Sequence, residues 1–169
     1  MATTFVATQA ASDVNSRRSG GSGVVHCAYG VYEITVNPTA ADIYQLCKIP
    51  ANARIVGGWY YMDDIDTNAS ETIDMDIGWA ANGGTGTFDS ADSDGLGNLG
   101  VQNGDAFAVP SVSSSVGNVV PFSGVLADGD CPKFTRETTI QVQCVATAAT
   151  FAAGALSAVV FYIVENAAS

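Results

Sequence analysis

The stretch Ala53-Arg54-Ile55-Val56-Gly57-Gly58-Trp59-Tyr60-Tyr61-Met62-Asp63-Asp64-Ile65-Asp66, followed after Thr67-Asn68-Ala69-Ser70 by Glu71-Thr72-Ile73-Asp74-Met75-Asp76-Ile77-Gly78-Trp79, decides the fold class. In its second half Ile73, Met75, Ile77 and Trp79 alternate with Thr72, Asp74, Asp76 and Gly78. A period of two puts apolar and acidic side chains on opposite faces of a strand. The first half is aromatic and β-branched and ends in acids, so it also reads as a strand. The short polar loop between the halves predicts an antiparallel hairpin.

The same alternation recurs outward from this stretch. From Val24 to Val36 it places Val25, Cys27, Tyr29 and Val31 on one face and Val24, His26, Ala28 and Tyr32 on the other. Ile43 to Ile49 is the next strand, closed by Pro50-Ala51-Asn52; Val119 to Phe122 and Val125 to Ala127 are weaker signals. Between Thr138 and Val145, Ile140, Val142 and Cys144 alternate with Thr139, Gln141 and Gln143, and Leu156 to Val164 is apolar on both faces. A strand apolar on both faces is central in its sheet or buried against a partner. The pattern is lost between Ala80 and Asp105, where one helical turn is expected near Asp89 to Leu96, and again between Ser111 and Asn118.

About eight strands with no helical crossovers predict an all-β chain: a two-sheet antiparallel sandwich of jelly-roll type, with an immunoglobulin-like sandwich as the alternative. A length of 169 residues with 47% hydrophobic content suits one such domain over 24–169. Residues 1–23 end in Ser16-Arg17-Arg18-Ser19-Gly20-Gly21-Ser22-Gly23, which predicts a flexible N-terminal arm. The start of the chain has no basic and apolar signal-peptide pattern, and no apolar run is long enough to span a membrane, so a soluble product with no membrane partner is expected.

Net charge is −11, and no Lys or Arg occurs between Arg54 and Lys133. Such a surface repels phosphate backbones, which argues against direct nucleic-acid binding and for a protein partner. The arm carries +1, from Arg17, Arg18 and Asp13, which leaves −12 on the body. Arg17 and Arg18 are therefore the candidate partner-binding residues, able to form bidentate bonds with carboxylates.

The candidate chemistry is thin. Asp63, Asp64, Asp66, Asp74 and Asp76 are raw material for a glycosidase, but acids in turns or on a solvated face explain them. Trp59 or Trp79 with the Asp89 to Gly97 loop would be the site of a glycan-binding module. Asp89, Asp92, Asp94 and Gly95 resemble part of a calcium loop without its complete spacing. His26, the only histidine, adjoins Cys27 on a strand, and neighbours on a strand face opposite ways, so no dyad forms. Cys27, Cys47, Cys131 and Cys144 lack zinc-site spacing. Cys47 and Cys144 are expected to be buried, and Cys131, next to Pro132, to be the more exposed. No catalytic, cofactor-binding or metal residues are assigned, and no enzyme is expected.

The Gly/Ser leader, the segment Lys48-Ile49-Pro50-Ala51-Asn52-Ala53-Arg54-Ile55-Val56, the acidic Met62-Asp63-Asp64-Ile65-Asp66 run, the strand Thr72-Ile73-Asp74-Met75-Asp76-Ile77-Gly78 and the apolar closing strand together resemble small β-sandwich decoration or cement proteins of tailed-bacteriophage capsids. That resemblance implies a structural virion protein made in the host cytoplasm. It would bind the outer capsid surface as a homotrimer, with the major capsid protein as partner and no cofactor. A tail or head-fibre component is the alternative within the virion.

Overall fold

A computed structural model describes residues 2–11, 24–97, 118–121 and 131–165. Its elements in chain order are β1 (Thr4–Val6), α1 (Thr8–Ala11), β2 (Val25–Ile34), β3 (Ile43–Ile49), β4 (Ala53–Met62), β5 (Asp74–Trp79), β6 (Asp92–Gly97), β7 (Asn118–Pro121), β8 (Thr138–Ala146) and β9 (Gly154–Val164). One sheet runs β2-β9-β4-β7, and the other runs β3-β8-β5-β6 with β1 added outside β3. Apart from β5 to β6, each step along the chain from β2 to β9 crosses from one sheet to the other. That winding is a jelly roll, the sandwich type expected from the sequence, not the immunoglobulin alternative.

The core lies between the sheets. Ala28, Ile34, Ile55, Tyr60, Leu156, Val160 and Tyr162 come from one sheet, and Tyr44, Leu46, Ile49, Met75, Ile77, Ile140, Val142 and Cys144 come from the other. The alternation of β5 places Met75, Ile77 and Trp79 inward, as read from the sequence. Bulges in β4 and β3 break the alternation there. The register jumps from Ile55 to Gly57 opposite Tyr162 and Phe161, and from Gln45 to Cys47 opposite Gln141 and Ile140. The extra residues, Val56 and Leu46, reverse the parity of the rest of each strand, as a bulge must. Leu46 and Cys47 are consequently both buried.

Three expectations change. The stretch from Ala53 to Trp79 is not a hairpin: β4 pairs with β9 and β7, whereas β5 pairs with β8 and β6, so residues 63–73 carry the chain between sheets. The helical turn expected near Asp89 to Leu96 is instead strand β6, paired with β5. There the ring of Trp79 lies against Gly95, where any Cβ would collide with it, and Leu96 is buried. Finally, residues 2–11, expected to lie within the arm, are docked on the sandwich. β1 pairs in parallel with β3, Phe5 stacks on Tyr44 at 5.0 Å, and Ala7 and Ala10 are buried. Residues 12–23, with Arg17 and Arg18, lie outside the described residues, as do 98–117 and 122–130.

The two sheets approach closely where β2 meets β3. A Cβ on Gly30 would strike the carbonyl of Leu46, so only hydrogen fits there. Gly57, on the opposite side of its sheet from the core, has open space above it. Overpacking a close contact costs about 1–3 kcal/mol, whereas a substitution into open space changes stability by about 0.5 kcal/mol or less. Gly30→Ala should therefore lower the denaturation free energy by that larger amount and Gly57→Ala should not, as measured by chemical unfolding of both variants.

Candidate functional site

The acids singled out in the sequence are first of all structural. Asp66 is buried in the β4–β5 connection, and its carboxylate accepts from the backbone N–H groups of Thr72 (2.8 Å), Ile73 (3.3 Å), Ala149 (2.9 Å), Thr150 (2.8 Å) and Asn68 (3.4 Å). Burial alone would raise its pKa, but these donors outweigh it and hold the group at about 2. Asp63 accepts from the N–H of Ala155 at 2.7 Å and from the Tyr61 hydroxyl at 2.7 Å. Asp42, to which no sequence pattern pointed, accepts from the N–H groups of Thr3 and Thr39 and from the Thr39 hydroxyl. It thereby anchors the first residues of the chain.

The would-be cation loop is used in the same way. Asp89 is buried, and its oxygens accept from the Asn82 amide, the N–H groups of Gly86 and Thr135 and the Thr135 hydroxyl. Burial again opposes ionisation and the donors again prevail, leaving its pKa at about 2. Asp92 and Asp94 are on β6, where burial and then the neighbouring Asp94 raise the Asp92 pKa. Among the described residues no three His, Cys, Asp or Glu side chains converge on a point suited to a metal ion.

Nor do the other candidates assemble a reactive centre. His26 turns toward the core and stacks on Tyr162 at 5.4 Å, while Cys27 is exposed on the opposite face of β2. Cys47 and Cys144 are buried, as expected, and burial pushes both thiols up to about 12. Cys131 is half-buried, so the more exposed thiol is Cys27, carried on the outward parity of β2. Trp79 cannot be a sugar platform: it is buried between Phe88 and Phe134, and its indole N–H donates to the Ser90 carbonyl at 2.9 Å.

What the fold does assemble is two dissimilar outer faces. On the β3-β8-β5 side the residues turned away from the core are mainly hydrogen-bonding groups, Gln45, Lys48, Thr139, Gln141, Gln143, Asp74 and Asp76, of which Gln141 and Asp76 are buried, together with Ile43, Gly78 and the exposed Val145. On the β2-β9-β4 side the register lines up Cys27 with Phe161 and Gly57, Tyr29 with Val159 and Trp59, and Val25 with Ile163 and Arg54. Val25, Tyr29, Val31, Val56 and Trp59 are exposed there, Trp59 by 41%, and Trp59 meets Phe161 edge-on at 5.1 Å. Among the described residues charge appears only at the ends of this face, in Glu33 and Asp63 at one and in the Arg54–Glu165–Lys133 cluster at the other, whose two ion pairs are 2.6 Å long. The apolar outer faces of β2 and β9 were legible in the sequence. Their joining to Trp59 and Val56 into one patch required the strand order.

No protein-family model matches this sequence, and no curated protein matches it. Among solved structures, the fold is similar to a chain of the capsid of Ralstonia phage GP4, with a TM-score of 0.68 and 21% identity over 97% of this chain and 99% of that one. It is also similar to a chain of the cyanophage Pam1 capsid asymmetric unit, with a TM-score of 0.57 and 25% identity over 88% of this chain and 91% of that one.

The Asp66 site makes a measurable prediction. Its folded pKa of about 2 lies below the ordinary 3.8, so its contribution to stability is complete above about pH 4 and is lost as the pH falls toward 2. Replacing the carboxylate by an amide turns an NH2 group toward backbone N–H donors, and leaving buried partners of a charged group unpaired costs about 2–4 kcal/mol. Asp66→Asn should lose that much at neutral pH, and denaturant titrations should show its gap from the wild type closing between pH 4 and pH 2.

Proposed function

We propose that this chain is a structural virion protein that binds the outer surface of an assembled phage capsid and reinforces it, as a decoration or cement protein, and that it does so as a homotrimer. One observation carries the reading: the likeness to a phage-capsid chain runs nearly end to end over both partners. The matched capsid component is thus itself a chain of about this size, a sandwich with little attached to it. A second phage-capsid chain, matched over 88% of this chain and 91% of its own, supports the same reading. The site points the same way, because the distinctive carboxylates are taken up in holding loops, and the largest feature left for a partner is a surface.

The partner would be the major capsid protein, and Arg17 and Arg18 would supply the charged donors toward it from a segment of net charge +1 on a body of −12. Residues 2–11 pack on the sandwich, so removing all of residues 1–23 would also strip Phe5 from Tyr44 and confuse attachment with folding. The double substitution Arg17→Ala with Arg18→Ala is the cleaner probe.

Electron microscopy of capsids assembled with and without the chain tests the role. Density on the outer surface at subunit junctions, and earlier heat disruption of capsids lacking the chain, are expected; density confined to a tail, or no bound density at all, would refute it. In binding to isolated capsids the double arginine variant should be weaker than the wild type and should show a shallower salt dependence. Equal affinity across a salt series would remove the arginines from the contact.

A further inference from the structure

We infer that the outer face of the β2-β9-β4 sheet, centred on Trp59, Tyr29, Val159 and Phe161, is the surface by which copies of this chain join one another. The inference deepens the proposed function, resting on its assembly half and not on capsid attachment. The register makes the patch continuous across three strands, with Tyr29, Val159 and Trp59 in one row and Cys27, Phe161 and Gly57 in the next. Exposed apolar side chains scattered singly need no explanation, but a contiguous patch on one sheet face marks a contact. The sandwich has a second outer face of the same kind of pleated surface, where glutamines, threonine, lysine and aspartates predominate and Ile43 and the exposed Val145 are the apolar members. The contrast is therefore a property of this face and not of the chain's composition.

Charge selects the occupant. The chain carries −11, and two copies approaching through most of its surface would set carboxylate against carboxylate. The Trp59 face is where they can meet without doing so, since its charges among the described residues lie at the two ends, Glu33 and Asp63 at one and the paired Arg54, Glu165 and Lys133 at the other. A partner of opposite charge would instead gain from the acids, which lie elsewhere. A large aromatic at the centre of a neutral patch with a polar rim is also the usual anatomy of a contact between proteins.

Sedimentation and light scattering of the free full-length protein over a wide concentration range test this with no capsid present. Self-association is expected, and it should tighten with added salt as repulsion between acidic bodies is screened, opposite in sign to attachment through arginines. Trp59→Glu and Tyr29→Glu, made separately on exposed positions, should each weaken association by at least about tenfold. Gln143→Glu adds the same charge to the other sheet's outer face and should leave association unchanged. Thermal melts of all three variants check that the sandwich is intact. A chain that stays monomeric at every concentration and salt, or one that Gln143→Glu weakens as much as Trp59→Glu does, overturns the inference. A monomer whose Trp59→Glu variant no longer binds capsids assigns the face to the capsid and overturns it too, while decoration stands. Association through this face in a chain that binds no capsid upholds the inference and ends the decoration reading.

Discussion

One buried carboxylate holds together the parts of this sandwich that the chain itself does not connect locally. Asp66 gathers N–H groups from Asn68, Thr72 and Ile73 on its own crossing segment and from Ala149 and Thr150, more than eighty residues later. Those two segments lead into β5 and β9, one in each sheet, and they are further tied by Thr67 donating to the Thr150 carbonyl and Ala152 to the Ile65 carbonyl. The position of one sheet over the other at this end therefore depends on a charge kept ionised by backbone donors alone. Hydrogen bonds to an ionised acceptor are roughly twice as strong as neutral ones, which is how the carboxylate overcomes its own burial.

The chain adopts this device repeatedly because it is short of cations. Of the four described bases, Lys48 pairs with Glu137, and Arg54 and Lys133 share Glu165. Other acids find neutral donors: Asp42 at the N-terminal segment, Asp63 at Ala155 and Asp89 at Gly86 and Thr135. Acids that look in the sequence like idle turn residues or fragments of a cation loop are in the fold the fasteners of its loops.

The boundary between legible and illegible residues runs along the same line. The alternation of β5, β8 and β9 and the sandwich class come from local pattern, since the side-chain period is a property of the strand itself. The misreadings concern residues whose state is set at a distance. Thr67 to Ser70 looks like a hairpin loop because the donors that turn Asp66 into a crossing point come from 149–150. Asp92 to Gly97 has almost no strand propensity and becomes β6 because β5 and the Trp79 ring hold it. The one early signal for the docked N-terminal segment is Phe5 among small residues, and its meaning depends on Tyr32 and Tyr44 waiting at the sandwich edge.

The docked segment bears on how the chain behaves when crowded. A sheet edge with open N–H and C=O groups can be extended by any other strand, and growth of that kind has no natural end. Here β1 takes up the edge of β3 with only three residues, too few to offer a new edge, and α1 packs near β2. At the far margins β6 carries Asp92 and Asp94, and β7 is four residues long. With its described margins blunted in this way, the molecule is biased against open-ended growth by strand addition.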